Sequence, residues 1–122
     1  MSKGRHLILD LYGCSPDILN NYEELECLLE TALNMAGATI LRIFGEKFEP
    51  QGVTLLALLA ESHASIHTWP ELGYCAIDLY TCGEATSTDK AAEFLTYKLG
   101  STNQVKKDLV RDPEGNDAQQ HL

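Results

Sequence analysis

Residues 39–48 and 53–60 form two apolar runs separated by Pro50-Gln51-Gly52. Proline presets φ for a turn and glycine accepts positive φ, so the pair reads as a β-hairpin. The second run contains Leu55-Leu56-Ala57-Leu58-Leu59-Ala60, which lacks alternation and by periodicity alone would pass for a helix. Its short length and the adjoining turn make it a strand.

Residues 6–12 are rich in Leu and Ile and suit a buried first strand. Ser15-Pro16-Asp17 reads as a helix start, with a Ser cap, Pro at the first helical position and an acid in the first turn. Leu25, Leu28, Leu29, Ala32 and Ala36 then make an apolar stripe, and Gly37 ends it. Residues 74–80 are a further strand, with Asp78 on one side. Thr88 or Asp89 caps a second helix that runs to Leu99 and stops at Gly100. Residues 105–110 form a last edge strand whose lysines discourage edge-to-edge pairing.

The order β-α-β-β-β-α-β predicts an α+β fold, a two-layer sandwich with two helices on one face of a mainly antiparallel sheet. Its 122 residues suffice for one core. We expect a single domain over residues 1–110. Residues 111–122, with Pro113 and Gly115, are expected to be a disordered tail.

The formal charge of −9 argues against a nucleic-acid partner, which needs clustered Lys and Arg. A cationic substrate would be drawn to such a surface. No apolar run approaches the ~20 residues that span a bilayer, and Asp10 interrupts the first apolar stretch too early for a signal peptide. These features predict a cytoplasmic protein with no membrane partner. The four cysteines contain no Cys-x-x-Cys pair, so neither a zinc knuckle nor a thioredoxin-type site is suggested.

The densest chemistry lies in Glu61-Ser62-His63-Ala64-Ser65-Ile66-His67-Thr68-Trp69-Pro70-Glu71, followed by Thr81-Cys82-Gly83-Glu84. Ser and His also mark places where a strand simply meets solvent. A hydrolase reading lacks the Gly-x-Ser-x-Gly elbow. A metal held by His63 and His67 would want a helix, where residues four apart share a face, and Pro70 and the neighbouring strands disfavour one.

The segment from Glu61 to Glu71 resembles the self-cleavage site of bacterial S-adenosylmethionine decarboxylase proenzymes. The strand and turn Tyr74-Cys75-Ala76-Ile77-Asp78-Leu79-Tyr80-Thr81-Cys82-Gly83 are similar to the same family, as are Gly4-Arg5-His6, Gly37-Ala38-Thr39-Ile40 and Phe48-Glu49-Pro50-Gln51-Gly52-Val53. The resemblance implies autocatalytic serinolysis at Glu61-Ser62, which turns Ser62 into a pyruvoyl cofactor. No pyridoxal phosphate and no metal are implied. The pyruvoyl ketone would form a Schiff base with the substrate amine and accept electrons as carbon dioxide departs. His67 is implied as the proton acceptor in processing, and Cys82 as the proton donor in catalysis. Phe48 matches a ring that stacks on adenine, with core packing as the alternative. Glu71 is a candidate for ribose or amine binding, with a solvated carboxylate as its alternative. Trp69 is read as a core or dimer-interface anchor, and Cys75, in mid-strand, as a structural thiol.

Thr54 stands where many relatives carry a processing serine, and its stiffer χ1 predicts slower cleavage. The implied reaction is decarboxylation of S-adenosylmethionine for spermidine synthesis, in a homodimer of cleaved protomers. The motif specifies the cofactor more than the substrate, so a pyruvoyl-dependent arginine or ornithine decarboxylase is a first alternative. A non-cleaving homologue that binds a nucleoside or an active partner is a second.

Overall fold

The computed structural model describes residues 3–82 and 87–115. In chain order the elements are β1 (Gly4–Tyr12), α1 (Pro16–Leu19), α2 (Tyr22–Met35), β2 (Ile40–Lys47), β3 (Val53–Leu59), β4 (His63–Trp69), a 3₁₀ turn (Pro70–Leu72), β5 (Tyr74–Cys82), α3 (Thr88–Lys98) and β6 (Asn103–Arg111). The strands form one sheet in the order β2-β3-β4-β5-β1-β6, and every neighbouring pair is antiparallel. This is the α+β sandwich expected from the sequence. No helix among the described residues is long and apolar enough to cross a membrane.

Two elements differ from the sequence reading. Residues 63–69, expected only as a motif, form the strand β4. The first helix is divided at Asn20-Asn21, because each piece has its own cap. Ser15 Oγ accepts the Ile18 amide at 3.5 Å and Asn21 Oδ1 accepts the Glu24 amide at 3.1 Å, so Asn21 starts a new helix. Arg111 completes β6. Much of the expected tail, residues 116–122, lies outside the described residues.

The two faces of the sheet are chemically unlike. On one face α2 contributes Leu25, Leu29, Ala32 and Leu33, and α3 contributes Ala91, Ala92 and Leu95. These pack over Leu7, Leu9, Leu55, Ile66, Ile77 and Leu79 in a single buried cluster. Each fully buried leucine or isoleucine there contributes about 1.5–3 kcal/mol. Period-two alternation sends the intervening side chains to the other face, which no helix among the described residues covers. That open face carries His6, Asp10, Thr54, His63, Ser65, His67, Tyr74, Asp78 and Cys82, all half-buried or exposed. It also carries Phe44, Leu56 and Leu58, which are 42%, 42% and 49% exposed.

A buried threonine fastens the hairpin to α1. Thr68 Oγ1 donates to the Leu19 carbonyl at 2.7 Å and accepts the Val53 amide at 3.0 Å. Asn20 Oδ1 accepts the Gly52 amide at 3.0 Å. Gly52 sits at φ 109°, a conformation that favours glycine. Phe48 is thereby presented at the end of the β2–β3 turn, its own amide donating to the Gly52 carbonyl at 2.8 Å.

Candidate active site

The β3–β4 connection is a three-residue tip, Ala60-Glu61-Ser62, with Leu58 opposite His63 and the Leu59 amide donating to the Ser62 carbonyl at 2.9 Å. Ser62 Oγ lies 3.1 Å from His63 Nδ1. Thr39, just beyond α2, grips the tip twice. Its carbonyl accepts the Ala60 amide at 2.9 Å, and its own amide donates to Glu61 Oε1 at 3.0 Å. The Thr39 amide holds the Glu61 carboxyl below the usual carboxylate range.

Cys82 ends β5 opposite Gly4. His63 pairs with Tyr80, so Cys82 lies two residues further along, at the Ser62 end of the sheet. It is partly exposed, and alternation points it to the open face with Tyr80 and Asp78. Cys75 is fully buried, and desolvation pushes its thiol pKa up. The contrast between the two cysteines follows their alternation along one strand.

The other candidate residues gather at the opposite end of β4. His67 pairs with Thr54, and its Nδ1 lies 2.9 Å from Thr54 Oγ1. Its ring stacks on Trp69 at 4.1 Å, and the Phe48 ring lies 6.3 Å from it. Trp69 in turn stacks on Tyr74 at 5.0 Å, and Tyr74 on Tyr12 at 5.2 Å. Trp69 is therefore half-buried on the open face rather than in the core. Phe48 is 42% exposed. Glu71 lies in the 3₁₀ turn after Trp69 and is exposed.

Ser62 and His67 do not meet within one chain. At ~3.3 Å per strand residue, five residues separate them by roughly 16 Å. His63 and His67 stand about 13 Å apart by the same measure, too far to ligate one ion. The imidazole beside Ser62 is that of His63.

Three open-face groups escaped the sequence reading. Asp78 receives Ser65 Oγ at 3.3 Å and lies 3.0 Å from His6 Nε2. Tyr80 is flanked by the rings of His6 and His63 at 5.5 and 5.4 Å, with the Arg111 guanidinium 4.8 Å from its centroid. Tyr74 donates to Asp10 at 2.6 Å, and this bond raises its hydroxyl pKa. Only strand register brings these pairs together, so no local motif announces them.

The family model described as S-adenosylmethionine decarboxylase matches residues 5–112. The chain belongs to the S-adenosylmethionine decarboxylase family. It is 50% identical over 109 residues to the S-adenosylmethionine decarboxylase proenzyme of Prochlorococcus marinus (strain MIT 9313), covering 89% of this chain and 87% of that protein. Identity to the proenzyme of Methanococcus aeolicus is 52% over 88 residues, covering 72% and 75%. Among solved structures, the adenosylmethionine decarboxylase from Aquifex aeolicus superposes with a TM-score of 0.85 at 36% identity, covering 90% of this chain and 91% of that one. The similarity to that solved structure extends over most of the sandwich.

Proposed function

We propose that this protein cleaves itself between Glu61 and Ser62 and then decarboxylates S-adenosylmethionine, working in the cytoplasm as a homodimer of cleaved protomers. The observation that carries the reading is Ser62 at the tip of a tight hairpin whose flanking strands pair on both sides of the cut.

The topology tolerates a break at that point. Cleavage assigns β1, β2 and β3 to one fragment and β4, β5 and β6 to the other. In the order β2-β3-β4-β5-β1-β6, the pairs β3–β4, β5–β1 and β1–β6 all cross the cut. Those ladders keep the fragments in one sheet after the covalent link is lost.

In processing, Ser62 Oγ attacks the Glu61 carbonyl carbon, the peptide C–N bond breaks, and the proton moves to the freed Ser62 amine. A base takes the Ser62 Cα proton and the Glu61 carboxylate leaves. Water then replaces the nitrogen, which departs as ammonia. Ser62 and its surroundings fit the product: a hydroxyl beside its own scissile bond, an imidazole 3.1 Å away and a partly exposed tip. The resulting pyruvoyl ketone supplies an electrophile for the substrate amine and a sink for the electron pair left by carbon dioxide. Cys82, at the same end of the sheet, donates the proton to the substrate carbon. His67, held by Thr54, serves as the processing base. Phe48 stacks on the adenine, and Glu71 binds the ribose or amine.

The roughly 16 Å between Ser62 and His67 calls for a second copy. The uncovered face carries Phe44, Leu56 and Leu58 together with the chemical groups. A twofold pairing of open faces buries that apolar patch and lays one protomer's His67 end across the partner's Ser62 end.

Intact mass spectrometry tests the reading. The expected species are residues 1–61 and 62–122, the second lighter by one ammonia than the simple hydrolytic fragment. Ser62→Ala is expected to stay whole. Fragments from that variant, or only full-length wild type after long incubation, would refute self-cleavage.

A further inference from the structure

We propose that the Glu61 side chain is a positioning group for self-cleavage, acting through its hydrogen bond from the Thr39 amide. The inference rests on the self-cleavage reading above and adds a residue role to it.

The hairpin tip projects to solvent, and its reaction is demanding. The Ser62 Oγ–C bond must form as the planar Glu61–Ser62 amide breaks, which requires a restricted peptide orientation. Backbone hydrogen bonds hold the residues around the scissile bond. The Leu59 amide donates to the Ser62 carbonyl, and the Ala60 amide donates to the Thr39 carbonyl. Glu61 is held instead through its side chain, whose Oε1 lies 3.0 Å from the Thr39 amide nitrogen. Such a hold restrains the residue without engaging its carbonyl oxygen, the group that must change geometry during attack.

Thr39 is a firm anchor for this purpose. It follows the end of α2, where the Ala38 amide donates to the Leu33 carbonyl and Gly37 takes φ 81°. The same helix end receives the Ser87 amide on the Ala36 carbonyl at 2.8 Å. One cap therefore brackets both the cleavage tip and the start of α3, six residues beyond Cys82. The lowered carboxyl pKa of Glu61 agrees with an ionised acceptor at neutral pH.

The test pairs two readouts. In an uncleavable Ser62→Ala background, amide hydrogen exchange at Thr39 should quicken about tenfold on adding Glu61→Ala, and adding Glu61→Gln instead should restore most of the protection, because glutamine keeps an acceptor oxygen. In the Ser62 protein, intact mass over time should show Glu61→Ala cleaving about five- to tenfold more slowly, the effect of one hydrogen bond on a rate. Glu61→Gln should recover to within about threefold of wild type. Unchanged Thr39 exchange in Glu61→Ala overturns the contact. Unchanged cleavage in Glu61→Ala overturns the positioning role. A Glu61→Gln protein that protects Thr39 yet cleaves as slowly as Glu61→Ala also overturns it, because charge would then be the active property. Wild type that never cleaves removes the reaction and the proposal with it, while Thr39 exchange still reports whether the contact exists.

Discussion

At its N-terminal end β4 begins beside Ser62, with His63, Tyr80 and Cys82 around it; at its C-terminal end His67 is bonded to Thr54 and stacked on Trp69. The first end holds Ser62 and the Cys82 thiol, and the second holds the His67 imidazole and the aromatic rings beside it. One rigid ladder keeps them apart. A strand cannot bend through 16 Å to join its ends, so the proposed reaction needs a second protomer rather than a loop movement to bring them together.

The strongest way to break that contrast is to separate the two ends onto different chains. His67→Ala alone should cleave about 10²–10⁴-fold more slowly, and Ser62→Ala alone should not cleave. Unfolded and refolded together in equal amounts, the His67→Ala chain meets a partner with intact His67 in about half of random pairings. That share of His67→Ala chains should then cleave at the wild-type rate, visible by mass because the two variants differ. No cleavage in the mixture would mean that each chain completes its own site, and the shared-site reading would fall.

A second experiment sharpens the division within the Ser62 end. Cys82 sits there on the open face, and the proposed mechanism gives it no part in forming the cofactor. Cys82→Ala should therefore cleave normally and lose turnover of S-adenosylmethionine by ~10²–10⁴. Cys75→Ala, on the same strand but facing the core, serves as the contrast and should lose stability instead. Wild-type turnover in Cys82→Ala would assign the proton to another group.

Much of this arrangement was legible in the residues, but unevenly. Pro50-Gln51-Gly52 announced its turn, and Gly37 and Gly100 announced helix ends, because left-handed φ leaves a local signature. The division of the first helix was also local: Asn21 and Glu24 have cap spacing, although the stripe beginning at Leu25 drew attention past them. β4 was missed for a different reason. His63, Ser65, His67 and Trp69 alternate with Ala64, Ile66 and Thr68, yet the inward set contains one small and one polar residue, so hydrophobicity carries little of the period. The open-face pairs were beyond reach, since His6 and Asp78 are 72 residues apart and meet only through the β1–β5 register. Family resemblance named Ser62, His67 and Cys82, but their division between two ends of a sheet required the strand order.

The smallest expected effect concerns how each end is fastened. At the far end Thr68 is buried, and leaving its partners unsatisfied would cost about 1–3 kcal/mol for each. Near Cys82 the fastening is ionic and wet. Arg5 pairs with Asp108 and lies 3.8 Å from Asp89, which Lys106 also approaches at 3.7 Å. The Arg5 and Asp108 side chains are 44% and 39% exposed, so solvent screens most of the attraction. Arg5→Ala should therefore cost at most about 1 kcal/mol in thermal or denaturant unfolding, and less in high salt. The pH dependence has a definite sign. Hydrogen bonding to Arg5 holds the Asp108 carboxyl below its usual range, so its contribution is fully present above the unfolded carboxylate pKa and disappears as pH falls through the lowered folded value. The stability gap between wild type and Arg5→Ala should accordingly be constant near neutrality and close on acidification. A gap of several kcal/mol, or one that persists after Asp108 is protonated, would mean that Arg5 fastens β1 beside Cys82 by packing rather than by charge.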